Sequence, residues 1–443
     1  MAQTTRLPGR FPAGRGVNLG LATAAFAVNF WAWNLLGPLS ASYTALLHLN
    51  PTQVALLVAV PVLVGSLGRI PAGALTDRIG GRLTFAIVSF MTILPVLFVG
   101  YASTYGALLV GGFFLGLGGT TFAIGIPFVN AWYPPERRGF ATGVFGMGMG
   151  GTALSAFFTP RLADAIGRGA THVIVAVALA AVGVLMLVGA RNAPAWEPSA
   201  ASIPQRLGAV LHLRATWQGC FLYAVCFGGF VAFTTYLPTL LKELYGLDQS
   251  GAGLRTAGFA MAAVVARALG GTLSDRIGPR RVLMWSFVPT GVLAIVIAFG
   301  PPLEVPAGIA YVLLAFSLGL GTGAVFALIG QVVDPTKVGG VTGFVGAAGG
   351  LGGYFPPLVM GAVYQATGSY AIGLMLLSDV AFAAAVFVWL AFSAARQDEA
   401  GTDSGAGAVP QAAPPVRPEV PGARAPEPGG PYTAAGGERP DVP

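Results

Sequence analysis

Apolar runs of about twenty residues recur along this 443-residue chain, and no other feature limits its fold so tightly. A helix of that length crosses the hydrocarbon core of a bilayer, about 30 Å thick, with its backbone polar groups bonded within itself. The runs lie near 18 to 42, 53 to 74, 83 to 102, 107 to 132, 140 to 160, 171 to 190, 216 to 241, 251 to 274, 282 to 300, 307 to 332, 341 to 363 and 370 to 394. They predict twelve spanning helices in an all-α membrane protein. With 55% hydrophobic and 9% charged residues and a mean hydropathy of +0.73, a soluble globular reading is nearly excluded.

Topology follows from the cations. The loops that carry Arg78, Arg82, Arg137, Arg138, Arg276, Arg280 and Arg281 fall on one side of the predicted bundle, together with basic residues of the N-terminus. The other side holds Arg161, Arg168, Lys242 and Arg255. By the positive-inside rule both termini are expected in the cytoplasm. The net charge of +7 then serves topology, and no nucleic-acid partner is called for. The basic N-terminus runs into its apolar segment without a small-residue cleavage site, so it reads as a lead-in and not as a cleaved signal. From about residue 395 to 443 the chain is rich in Pro, Gly and Ala and poor in large apolar residues, which predicts a disordered tail.

The chain also repeats itself. Arg69 is followed eight residues later by Asp77 and then Arg78, and Arg267 by Asp275 and Arg276 at the same spacing, 198 residues on. Glycine-rich stretches from Gly143 and from Gly343 repeat at nearly the same offset. The expected domains are therefore a lead-in (1–17), a six-helix half (18–190), a cytoplasmic connector (191–215), a second six-helix half (216–394) and the tail (395–443). Parallel six-helix repeats place a substrate path between the halves, near the midplane.

Eight residues of helix put each arginine about 12 Å inward from a turn at the membrane surface. Arginines at that depth are costly and face a cavity or a partner, so Arg69 and Arg267 are the leading site candidates. Two like charges beside one cavity repel unless an anion lies between them, and planar guanidinium forks suit planar oxyanions. Pairing with buried carboxylates is the alternative; the carboxylate set well inside a predicted helix is Asp379, in the peripheral last one. Asp77, Arg78, Asp275 and Arg276 read as gating-loop residues, with solvated loops as the plainer reading. The glycines of the fifth and eleventh helices, among them Gly146, Gly150 and Gly349, allow close approach and sliding of helices, with tight packing as the simple alternative.

The loops GALTDRIGGR (73 to 82) and GTLSDRIGPRR (271 to 281) resemble those of the major facilitator superfamily. The segments GLGGTTFAIGIPFVNAWYPPERRGFATGVFGMGMGGTALSAFF (116 to 158), VTGFVGAAGGLGGYFPPLVMGAVYQATGSY (341 to 370) and AFAVNFWAWNLLGPL (25 to 39) are similar to the nitrate/nitrite porter family within it. The resemblance implies a major facilitator fold, transport of nitrate and nitrite by alternating access as anion exchange or proton symport, and an anion clamp at Arg69 and Arg267. It also implies aromatic walls at Phe122, Tyr223 and Phe227, for each of which core packing is the alternative. Where that family usually carries Asn, this chain has Gly150, which implies weaker or less selective anion binding. The expected partners are a small inorganic anion, protons as candidate co-substrate, and the lipid bilayer, for a monomer in a bacterial-type inner membrane.

Other classes find little support. Cys220 and Cys226 suggest neither a disulfide framework nor a metal site, and His48, His172 and His212 have no ligand spacing. No cofactor, metal or catalytic grouping is expected, so an enzyme is disfavoured. A porter for cyanate, formate or a short carboxylate, and a non-transporting sensor on the same fold, stay open as alternatives.

Overall fold

The computed structural model describes residues 14–134, 137–194, 196–198, 208, 210–333 and 338–391. The expected tail, much of the connector and most of the lead-in lie outside the described residues. Among those described, the regular structure is helical without strands.

Twelve helical rods follow one another. α1 runs Arg15–Trp33 and, after a break, resumes at Ser40–Leu47. α2 (Pro51–Ile79) begins at a capping box: the Gln53 amide donates to Asn50 Oδ1 at 2.8 Å and the Asn50 amide to Gln53 Oε1 at 3.0 Å, with Pro51 in the first turn. α3 (Gly81–Tyr101), α4 (Tyr105–Asn130) and α5 (Arg138–Gly146, Met147–Gly150 and Gly151–Ile166) come next, then α6 (Arg168–Gly189). The second series is α7 (Arg214–Tyr245), α8 (Gln249–Ile277), α9 (Pro279–Ala298), α10 (Leu303–Val332), α11 (Val338–Gly352 and Phe355–Thr367) and α12 (Ala371–Ala391). Among the described residues nine rods are individually long and apolar enough to cross a membrane. The other three, α1, α5 and α11, are interrupted, and smaller breaks occur in α2 at Gly68 and in α4 at the 3-10 turn Gly116–Thr120. In α5 the cause is legible: Gly146, Gly148, Gly150 and Gly151 weaken helix propensity, and the middle of the rod tightens to a 3-10 turn at Met147–Gly150.

The duplication is visible in the backbone. α2 and α8 both end at the Ile of the repeated Asp-Arg-Ile-Gly turn, and the glycines that follow, Gly80 and Gly278, take φ of 86° and 87°. That region is strained for any residue with a Cβ, so both turns need glycine to reverse the chain into α3 and α9.

The two series pack through α5 on α8 and α2 on α11. Gly253 of α8 lies against the Ala156 carbonyl of α5, and at Gly361 of α11 a Cβ would stand 2.9 Å from the Pro51 carbonyl. At that same end of the bundle short polar ties join them. Gln249 Oε1 accepts from the Ser42 amide at 3.1 Å and from Ser42 Oγ at 2.6 Å, Thr239 Oγ1 donates to Ser40 Oγ at 2.9 Å, and Ser250 Oγ donates to Asp164 at 2.9 Å. The Asp-Arg-Ile-Gly turns sit at the opposite ends of α2 and α8, where Asp77 is half-buried and Arg78, Asp275 and Arg276 are exposed.

Candidate anion-binding site

Among the described residues Arg69 and Arg267 are the buried charged side chains, at 1% and 5% exposure. Their rods bring both of them to one phenylalanine. The guanidinium carbon of Arg69 lies 5.0 Å from the Phe122 ring centre and that of Arg267 lies 5.4 Å from it, so the two carbons are within about 10 Å. At that separation two unit charges repel by roughly 2 kcal/mol for an effective dielectric of about 20. Among the described residues neither arginine pairs with a carboxylate; an ion pair elsewhere, Arg255 with Glu304, is far from this centre in the chain and partly exposed. Asp379 is exposed on α12.

The hydrogen-bond geometry leaves capacity unused. Arg69 Nη1 donates to the Gly346 carbonyl of α11, and Nε to the Gly119 carbonyl of α4 at 3.4 Å. Its Nη2 is buried without a hydrogen-bond partner. Buried donors are nearly always satisfied, so one left over on a cation is the mark of a ligand position. Arg267 Nη1 donates to Tyr223 Oη at 3.3 Å and to the Met149 sulfur of α5 at 3.4 Å.

Aromatic rings enclose both cations. Tyr223 and Phe227, four residues apart on one face of α7, stack at 4.9 Å and 3°. Phe227 stacks on Phe122 at 6.0 Å and also faces Arg69 at 5.3 Å. Phe326 of α10 closes the box, 4.7 Å from the Tyr223 ring and 5.7 Å from the Arg267 guanidinium. Ring faces attract cations and exclude water, which strengthens whatever charge contact forms between the arginines.

Missing side chains make room for these groups. A Cβ at Gly349 would overlap the Tyr223 ring, and one at Gly346 would stand 3.1 Å from Phe122. At Gly350 it would strike Ser66 and come within 3.3 Å of Arg69 Nη1; at Gly146 it would lie 2.9 Å from Arg267 Nε. The glycines of α5 and α11 therefore bear on the site and not only on helix spacing.

Of the residues singled out in the sequence, the structure gathers Arg69, Arg267, Phe122, Tyr223, Phe227, Gly146 and Gly349. Gly150 touches none of these groups: a Cβ there would meet only Val264 of α8, at 3.9 Å, three residues before Arg267. Asp77, Arg78, Asp275 and Arg276 lie eight or nine residues along their helices and belong to the bundle end. Sequence reasoning missed Phe326, Met149, Gly346 and Gly350 as site residues. For Phe326 a signal existed. Gly116-Leu117-Gly118 precedes Phe122-Ala123 as Gly319-Leu320-Gly321 precedes Phe326-Ala327, with one extra residue in the second copy.

Phe326→Ala is expected to weaken anion binding about ten-fold, since it removes a cation–π wall of roughly 1 to 2 kcal/mol and lets water reach Arg267. Calorimetry on purified protein reads this directly. Unchanged affinity would assign Phe326 to packing alone.

Known proteins resemble this chain along most of its length. The family model of the Major Facilitator Superfamily matches twice, over residues 22–261 and 240–426. The "Probable nitrate/nitrite transporter NarK2" of Mycobacterium tuberculosis is 54% identical over 381 residues, covering 85% of this chain and 96% of that protein. The "Nitrite extrusion protein" of Bacillus subtilis is 38% identical over 376 residues, covering 84% and 94%. Among solved structures, an inward-facing, occupied bacterial homologue of the human lysosomal transporter Spinster superposes with a TM-score of 0.66 at 20% identity, covering 87% of this chain and 98% of that one, which speaks to the fold alone. On the family match over both halves and the near full-length identity to these relatives, the chain belongs to the Major Facilitator Superfamily, within its nitrate/nitrite porter family.

Proposed function

We propose that this protein carries nitrate and nitrite across the cell membrane by alternating access, holding the anion between Arg69 and Arg267. The observation that carries the reading is the buried, unpartnered Nη2 of Arg69, facing a site whose second arginine also has no carboxylate partner. A planar oxyanion offers coplanar acceptors to the guanidinium fork and presents flat faces to the rings of Phe122 and Phe227. The relatives named for nitrate and nitrite support that choice of anion over cyanate, formate or a short carboxylate.

With the basic loops on the cytoplasmic side, both termini are cytoplasmic and the polar ties around Gln249 form the outer seal. Transport proceeds when the glycine contacts of α5 on α8 and of α2 on α11 let one half rock against the other.

Two uncompensated buried cations disfavour reorientation of the unloaded carrier, since desolvated like charges would cross the closed state together. Exchange of one anion for another therefore fits the site better than proton symport. Proteoliposomes test both points. External nitrate should enter when nitrite is trapped inside and should fail to enter against buffer alone, with or without a proton gradient. Uptake driven by the gradient into buffer-loaded vesicles would overturn exchange, and no uptake of either anion would overturn the transport reading.

A further inference from the structure

We infer that Met149 is a positioning residue of the anion site: its thioether holds Arg267 in place as an acceptor weak enough to be displaced by the anion. The inference rests on the transport reading above and concerns a side chain that reading does not use.

The geometry begins with the backbone. α5 tightens to a 3-10 turn over Met147–Gly150, and in such a turn residues three apart eclipse one another, whereas in an α-helix they are offset. Gly146 and Met149 are three apart at the start of that stretch, and both face Arg267. Gly146 presents bare backbone beneath Nε, where a Cβ would stand at 2.9 Å, and Met149 sets its sulfur 3.4 Å from Nη1. A Cβ at Gly150, one residue on, would meet no more than Val264, at 3.9 Å. The α5 side chain that reaches the cation is therefore that of Met149.

The chemistry of the contact is unusual for a buried arginine. Met149 is fully buried, and its sulfur is a weak, polarisable acceptor beside a donor that an oxygen acceptor would hold far more firmly. The other partner of Nη1 is the Tyr223 hydroxyl, which is neutral and also able to rotate its proton toward an anion. Arg267 is thus oriented from both sides without being satisfied by a strong acceptor. An oxyanion arriving on the same nitrogen meets little competition. Arg69 differs, because its Nη1 is held by the Gly346 carbonyl and the free nitrogen is Nη2. The two arginines then play unequal parts, one anchored through a backbone carbonyl and one held loosely.

The role separates acceptor strength from size, and two variants read it. Met149→Leu keeps length and apolar volume and removes the acceptor. Met149→Gln keeps length and supplies a carbonyl oxygen that competes with the anion for Nη1. Equilibrium binding of nitrate, nitrite, formate and chloride, and transport KM and maximal rate in proteoliposomes, are measured on wild type, both variants and Arg267→Lys, each verified as monodisperse. Expected is about three-fold weaker oxyanion binding in Met149→Leu and at least ten-fold weaker binding in Met149→Gln, the loss falling on KM while the maximal rate is largely kept. Equal losses in the two variants, or no loss in either, overturn the role of Met149 while the transport reading stands through Arg267→Lys. Wild-type protein that binds none of the four anions overturns the transport reading, and this role with it.

Discussion

Arg69→Lys is expected to lower nitrate affinity by roughly a hundred-fold and to leave almost no transport, although the charge is kept. In the native protein the guanidinium gives Nη1 to the Gly346 carbonyl and Nε to the Gly119 carbonyl, and its buried Nη2 is left for the proposed anion. An ammonium is a point donor on a shorter reach and cannot hold two helices while addressing an anion. Hydrogen bonds to a charged group are worth about 1.5 to 3 kcal/mol each, so losing one good bond to the anion and misplacing the rest reaches the hundred-fold range. The stacking on Phe122 and Phe227 at 5.0 and 5.3 Å would weaken as well, since it depends on a flat cation. Binding isotherms on purified, correctly inserted Arg69→Lys protein decide the matter. Affinity near wild type would remove Arg69 from the clamp.

Gly349→Ala is expected to be nearly as damaging from a single added methyl. The new Cβ would overlap the Tyr223 ring, and that ring has nowhere to go: Phe227 stacks on it at 4.9 Å and Phe326 meets it at 4.7 Å. Overpacking of this kind costs about 1 to 3 kcal/mol, and relief must come by moving α11 away from α7 or by tilting the ring. Either response displaces the Tyr223 hydroxyl from Arg267 Nη1. We expect loss of most transport with insertion retained and a melting temperature lowered by several degrees. Gly143→Ala, where a Cβ meets nothing within 4 Å, is the matched control and should behave as wild type. Equal behaviour of the two variants would show that the α11 contact with the ring yields without consequence.

The two arginines of the proposed clamp were legible because they violate the chemistry of their surroundings. Charges in the middle of apolar runs stand out in any sequence, and the Asp-Arg turns supply a ruler that puts Arg69 and Arg267 at one depth. Phe122, Tyr223 and Phe227 came from resemblance, since an aromatic residue in an apolar helix carries no mark of its own that separates a wall from a core. Phe326 shows the cost of that ambiguity. It stands in a duplicated segment, yet one inserted residue shifts it out of register, and periodicity alone does not recover it.

By itself the sequence determined the helical, membrane-spanning class, the duplication and the matched register of both arginines, because these depend on length, hydropathy and spacing along one helix at a time. Only the tertiary structure decided which faces meet. Gly150, which the sequence offered as a substrate contact, has only Val264 within 4 Å of a Cβ, while its neighbour Met149 reaches Arg267 from a turn that a run of glycines lets tighten. The roles of Gly346 and Gly349 were hidden for a related reason: a glycine acts through the neighbour that fills its missing side chain, and that neighbour lies in a different helix, far away in the chain.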